Sequence, residues 1–304
     1  MKRAGATRGV APAFFIRYNL PMPNLVSLEA VEYLVIGHVA HDLIANGARL
    51  GGTVAYSALT ARALGMKAGI VTAVGKETPL DALDGIPVIS IDSPHSTTFE
   101  NMYTSEGRVQ YLRAQAERID FDSVPRSWRS ASIVHLGPIA NELDSILPEG
   151  FSPAILGITP QGWMRKWASD GRVSRSEWSN SGPILQKANA VVISREDVNG
   201  DNELIEQMAH QTRMLVVTEG AEGCILHWNG DRRRFRPPTV NELDATGAGD
   251  IFATAFFVRL FQTRDPWEAA RFATLIASYS VTRVGLDGIP TQSEIESCLM
   301  EVLQ

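Results

Sequence analysis

Two aspartates, Asp244 and Asp250, bracket the small residues of "DATGAGD", which runs straight into the apolar stretch "IFATAFFVRL". Gly247, Ala248 and Gly249 carry almost no side chain. At a helix start their N–H groups can converge on an anion, aided by the helix dipole. A phosphate is the usual guest. A carboxylate beside a phosphate repels it, so Asp250 makes no sense as a binder. It makes sense as a base that takes the proton from an attacking hydroxyl, while the amides stabilise charge on the transferred group. The plainer reading has Asp244 or Thr246 as a helix cap and Asp250 as a favourable charge in the first turn. Neither reading is a Walker loop, since the chain has no G-x-x-x-x-G-K-[ST]. A G-x-G-x-x-G fingerprint fails too, because Phe252 stands where its last glycine belongs.

The elements that must position this stretch read as alternating strands and helices. "EYLVIG", "KAGIVTAVG", "IPVISI", "ASIVHLGPI", "PAILGIT", "ANAVVIS", "RMLVVTEG" and "GCILHW" are short apolar runs of strand length. "GGTVAYSALTARALG" reads as a glycine turn, a helix and a glycine stop at Gly65. "TTFENMY" and "GRVQYLR", joined by "TSEG", predict a hairpin at about 96–114 with one face open to solvent or ligand. Helices at 248–262, 265 to about 282 and 291–303 close the chain. Buried strands alternating with helices predict an α/β fold, a mostly parallel central sheet covered on both faces, with the hairpin as a small β lid. Ligands in such sheets bind outside the carboxyl ends of the strands.

With 304 residues and no internal repeat or linker, residues 29–304 read as one domain and residues 1–28 as a loose N-terminal extension. Hydrophobic residues at 44% and charged residues at 20% indicate an ordinary soluble protein. The net charge of −6 argues against nucleic acid as a partner. No apolar run reaches the roughly 20 residues a membrane helix needs, so no membrane partner is expected either. Cys224 and Cys298 share no metal-ligand spacing and read as reduced cytoplasmic thiols.

Several motifs in order resemble one family. "DATGAGD" is similar to the D-T-x-G-A-G-D signature of the ribokinase-like (PfkB) carbohydrate kinases, with the threonine displaced by one place. Upstream stand "GHVAHD" with Asp42, then the double glycine Gly51 and Gly52, then "ARALG". "TEGAEG", Thr218 to Gly223, precedes the signature and "SVTRVG", Ser280 to Gly285, follows it. The resemblance implies a kinase that moves the γ-phosphate of ATP, with Mg²⁺, onto an alcohol of a sugar or polyol. It implies Asp250 as base and the amides of Gly247 to Asp250 as anion hole. Thr218, Gly220, Gly223, Thr246, Thr274 and Ala277 would line the nucleotide. Asp42, Gly51, Gly52 and Tyr56 would meet the substrate. Arg113 is a further substrate contact if the hairpin turns it inward, and with Arg108 it would suit an anionic substrate. Asp197 would act on the metal through water. A monomer and a homodimer both fit such a family.

The departures bear on the substrate. Ribokinases place asparagine where this chain has Ala40 and again where it has Tyr56, so ribose loses hydroxyl contacts that discriminate strongly. The family's N-x-x-E is here "SRED", Ser194 to Asp197, and a common asparagine near the adenine is Thr274. These changes resemble the divergent branch that includes inositol kinases. A nucleoside kinase of the same fold is a rival, as is a non-catalytic sugar- or nucleotide-binding regulator. Retention of Asp250 and its glycines favours catalysis, and the weakened "SRED" favours the regulator.

Three further features have plainer readings. His38, His41 and Asp42 suggest a metal trio but follow a strand, so pocket or loop roles are expected. Trp163, Trp167 and Trp178 read as packing or a pocket wall rather than nucleic-acid stacking. "DRRRFR", 231–236, reads as a charged edge strand, with an arginine on the donor phosphates as the minority alternative.

Overall fold

The computed structural model describes residues 29–44, 47–104 and 107–299. The expected extension at 1–28, the side chain of Arg108 and the end of the last predicted helix lie outside them.

In chain order the elements are β1 (Tyr33–Ile36), β2 (Ala40–Ile44), β3 (Gly47–Gly51), α1 (Thr53–Ala63), β4 (Ala68–Val74), β5 (Val88–Asp92), β6 (Thr97–Thr104) and β7 (Gly107–Ala114). There follow β8 (Ile133–Leu136), β9 (Ile155–Ile158), β10 (Arg165–Trp167), β11 (Val173–Arg175), α2 (Gly182–Lys187), β12 (Ala190–Ser194) and α3 (Asn202–Gln211). Then come β13 (Met214–Thr218), β14 (Cys224–Trp228), β15 (Asp231–Phe235), α4 (Ala248–Thr263), α5 (Pro266–Ser280) and α6 (Gln292–Leu299). Among the described residues the main sheet has nine strands in the order β15-β14-β13-β12-β9-β8-β1-β4-β5. It is parallel from β13 to β5, and the β14 and β15 pairings are antiparallel.

Strand alternation divides the interior into two cores. On β1, Tyr33 and Val35 point to one face, with α1, α4 and α5, while Leu34 and Ile36 point to the other, with α2 and α3. All four are fully buried, which is why this strand reads as an unbroken apolar run. Helix α4 is apolar almost all round because it packs against α1, α5 and the strands β8, β9 and β12. Phe252, Phe256 and Phe257 are buried on it, each worth roughly 1.5–3 kcal/mol, so its N-terminus is held on a rigid base.

The lid differs from the expected hairpin. It is a four-stranded sheet of order β3-β2-β6-β7, in which β2 runs parallel to β6 and antiparallel to β3. Ala40, Phe99 and Leu112 on its inner face pack against Ile139 and Ala140. Asp42 therefore sits on a lid strand. His38 and His41 serve this junction: the His38 ring bonds Thr97 Oγ1 at 2.6 Å and the Glu117 carbonyl at 2.8 Å, and His41 Nδ1 bonds Thr78 Oγ1 at 2.9 Å. Among the described residues no group of three His, Cys, Asp or Glu side chains is disposed to hold a metal ion. Trp163 is buried, donates to the Leu143 carbonyl at 2.8 Å and stacks on Trp178 with ring centroids 5.0 Å apart. No helix among the described residues is long and apolar enough to cross a membrane.

Candidate active site

One cleft of about 1120 Å³ runs between the lid and the carboxyl ends of the main strands, and Asp250 lies on its wall. The loop ahead of α4 is shaped by Gly247, whose φ of 80° lies in the left-handed region that glycine adopts without strain. A Cβ there would run into the Tyr56 ring, which packs beneath the loop from α1. Tyr56 is thus a wedge under the loop as well as part of the cleft wall. Among the described residues its buried hydroxyl has no hydrogen-bond partner. Burial pushes its pKa up; Arg49 opposes this, and the charges of Asp42, Asp250 and Asp244 add to it.

The first turn of α4 supplies free donors, as helix starts do. The Ala248 N–H is engaged by the Ala245 carbonyl at 3.2 Å, which departs from the expected four-amide hole. The amides of Gly249 and Asp250 are those best left for an anion. A Cβ at Gly249 would meet nothing within 4 Å, so the space over this turn is open. Asp244 orders the turn: its Oδ1 accepts from the Thr246 N–H at 2.9 Å.

Asp250 is half-buried, enclosed by protein but facing the cleft. Burial raises its pKa to about 6; the Thr53 hydroxyl and the Arg165 charge oppose this, and the Asp197 and Asp42 charges reinforce it. A carboxyl so poised is ionised at neutral pH yet basic enough to accept a proton.

At the lid end of the cleft Asp42, buried on β2, faces the double glycine. A Cβ at Gly51 would collide with the Asp42 carboxylate. Gly52, with φ 84°, is the N-cap of α1, and a Cβ there would lie 2.7 Å from the Ala40 N and 2.9 Å from the His38 carbonyl oxygen. The two glycines let lid and helix close on each other. Asn101 and Gln110 also line this end, joined across β6 and β7 by a 3.0 Å bond from Gln110 Nε2 to Asn101 Oδ1. Gln161, Thr53 and Arg165 complete its polar lining, with Phe99, Ile139 and Ala40 as apolar wall. Arg113 is not in the cleft. Its guanidinium is bound by Glu100 at 2.6 Å, donates to the Asp170 carbonyl at 3.2 Å and lies over the Tyr111 ring. Gln110 and Leu112 take the inner face of β7, so alternation turns Tyr111 and Arg113 outward.

At the other end "SRED" folds on itself. Ser194 N–H donates to Asp197 Oδ2 at 2.8 Å, and Asp197 N–H donates back to Ser194 Oγ at 3.0 Å. Gln161 holds the second carboxylate oxygen at 3.2 Å. Thr218, Gly220 and Thr246 line the same end. A second cavity of about 260 Å³ opens beside Gly249, walled by Pro237, Pro238, Val240, Phe252 and Ala277, with Thr274 and Gly223 on its lining. Thr274 Oγ1 is tied to the Ala270 carbonyl at 2.8 Å. Arg195 and Arg234 both clasp the buried Glu219, at 3.1 and 2.5 Å, and with Arg236 they line the cleft. The charged strand "DRRRF" is indeed the sheet edge, and it sends Arg234 inward.

Thr53, Asn101, Gln110, Gln161 and Arg165 were missed by the sequence reading. The Asn101–Gln110 pair was within reach of the hairpin register. Arg165 lies in "WMRKW", between two tryptophans, and belongs to no recognisable motif. Thr53 directly follows the double glycine, and Gln161 lies in no motif.

The chain is similar in sequence and in fold to known kinases. Residues 187–292 match the pfkB family carbohydrate kinases. The chain is 24% identical to an inositol 3-kinase of Oryza sativa subsp. japonica over 289 residues, 86% of this chain and 71% of that protein. Its fold is similar to that of a pyrophosphate-dependent kinase in the ribokinase family complexed with a pyrophosphate analog and myo-inositol. The TM-score is 0.72 and the identity 22%, over 88% of this chain and 100% of the other. It is also similar to an Arabidopsis thaliana ribokinase complexed with ribose and ATP, with TM-score 0.64 and 16% identity, over 90% and 100% of the two chains.

Proposed function

We propose that this chain, whose residues 187–292 match the pfkB family carbohydrate kinases and whose fold is ribokinase-like, transfers the γ-phosphate of ATP to a hydroxyl of a cyclitol or sugar in the cytoplasm. The observation that carries the reading is Asp250, a half-buried carboxyl in the first turn of α4 on the wall of the cleft, beside the helix-start amides, with its pKa raised by burial to about 6. The acceptor hydroxyl lies against Asp250, which takes its proton as the oxygen attacks the terminal phosphorus. The bond from phosphorus to the bridging oxygen breaks and ADP leaves. The Gly249 and Asp250 amides hold the charge on the transferred group. Asp42 accepts two vicinal hydroxyls, and Asn101, Gln110 and Gln161 supply amides for the rest of a polyol ring.

The apolar cavity beside Gly249 has the size and lining for a purine, which supports a nucleotide donor. Asp197 is one carboxylate with a fixed orientation, suited to Mg²⁺ held through water and donor phosphates, where the ion would neutralise charge on those phosphates. A pyrophosphate donor is the second reading. Arg195, Arg234 and Arg236 on the donor wall favour it, as does the likeness to a pyrophosphate-dependent kinase. The test is transfer to myo-inositol, ribose, fructose and nucleosides, each with ATP and with pyrophosphate. Transfer from ATP to a cyclitol is expected; transfer only from pyrophosphate would replace the donor, and transfer only to nucleosides would replace the acceptor.

The pH dependence follows from the sign of the Asp250 shift. Its raised pKa, about 6, leaves the base protonated below that pH and ionised above it. We expect kcat/KM to fall about tenfold per pH unit on the acid side and to level off above neutrality. A profile flat down to pH 5 would exclude Asp250 as the proton acceptor.

A further inference from the structure

A guanidinium outside every sequence motif joins three parts of the fold. Arg49, on the lid edge strand β3, reaches to the loop ahead of α4. Its Nη1 donates to Asp244 Oδ2 at 2.9 Å and its Nη2 to Thr246 Oγ1 at 3.1 Å. The same Asp244 carboxylate accepts the Thr246 N–H on Oδ1 at 2.9 Å and the Gly285 N–H on Oδ2 at 3.0 Å. The N–H groups of Leu243 and Asp244 bond the Val281 carbonyl at 2.8 and 3.2 Å. One ion pair therefore ties the lid, the loop and the turn after α5 together. Gly285 lies so close that a Cβ there would be 3.3 Å from Arg49 Nη1.

The pair is largely sheltered, with the Arg49 and Asp244 side chains 28% and 15% exposed. Burial opposes ionisation of Asp244, but the bonds from Thr246 and Gly285 and the Arg49 charge outweigh it and hold the carboxyl below its usual range. The fork matters as much as the charge. Two arms on Asp244 and Thr246 fix both the position and the tilt of a loop whose next residues are Gly247 and the free amides.

We infer that Arg49 is a positioning residue for phosphoryl transfer: from the lid strand it fixes the 244–247 loop and so aims the Gly249 and Asp250 amides and the Asp250 carboxylate. This rests on the phosphoryl-transfer reading of Asp250. Displacing such a constellation by about 1 Å costs on the order of 10²-fold in rate. A residue that merely held the fold together would cost stability instead.

The test compares Arg49→Ala, Arg49→Lys and Asp250→Asn in the full chain. Arg49→Ala is expected to lower kcat by ~10²-fold with little change in donor or acceptor KM. Guanidinium chloride at about 10 mM, well below denaturing levels, should restore part of that kcat by refilling the fork. Arg49→Lys keeps the charge but cannot fork, and should fall between Arg49→Ala and the wild type. Wild-type kcat in Arg49→Ala overturns the inference, as does a loss that guanidinium leaves unchanged. If Arg49→Ala does not fold, Arg49→Lys carries the test, and wild-type kcat there overturns the inference. Full activity in Asp250→Asn would sink the phosphoryl-transfer reading itself; a silent Asp250→Asn beside a fully active Arg49→Ala would sink only this inference.

Discussion

Asparagine in place of Asp250 is expected to lower kcat by about 10²–10⁴-fold while donor binding stays level or tightens. The substitution keeps shape and volume, so Thr53 retains a partner and the α4 start is undisturbed. What goes is the carboxylate to which this reading assigns the acceptor's proton. The same change removes a negative charge beside the donor phosphates. Asp42 and Asp197 already raise the cost of ionising Asp250, so the cleft is crowded with like charge. Relieving it favours an anionic donor, and this sets the sign of the binding effect. Single-turnover kinetics and calorimetric titration with the donor separate the two terms. A kcat within a few-fold of the wild type would remove Asp250 from the chemistry; a large loss of donor affinity would make it a binding residue.

The second large effect is expected at Gly247. Gly247→Ala places a Cβ at φ 80°, where an L-residue pays about 1–2 kcal/mol, and drives it into the Tyr56 ring. The loop must lift off α1, and it carries the donor amides with it. Loss of one well-placed donor of this kind costs about 10²–10³-fold in kcat. Gly249→Ala is the contrast for folding, since its Cβ meets nothing within 4 Å of it. Thermal midpoints alongside kcat read the two consequences: Gly247→Ala should lower both, and Gly249→Ala should keep the midpoint. Wild-type kcat in a folded Gly247→Ala would mean that the amides do not hold the transferred group.

The central sheet was legible because its strands are covered on both faces. "YLVI", "AGIVTAV" and "AVVIS" are apolar without a break, and helices between them left only a parallel arrangement. The start of α4 was legible because small residues and a first-turn acid have few other uses ahead of a wholly apolar helix. The lid was half legible. Its hairpin alternates, but "AHDLI" and "GARLG" are mixed, short and partly exposed, and give neither an apolar run nor a clean period. Asp42 could be found by motif order and not by element. Arg49 and Arg165 enter the site through tertiary contacts, at sequence distances that no spacing rule spans, whereas Thr53 directly follows Gly52. Arg113 went to the wrong face because the inward residues of β7 depend on its register with β6, which shifts beside Phe99.

The most direct measurement is phosphorus NMR of the wild-type protein with ATP, Mg²⁺ and myo-inositol, with Asp250→Asn as the blank. A new phosphomonoester resonance that grows with ADP, and is missing from the blank, is the result expected here. Release of inorganic phosphate from ATP with no ester formed, in the presence of myo-inositol and of the sugars and nucleosides in turn, would contradict transfer to a hydroxyl.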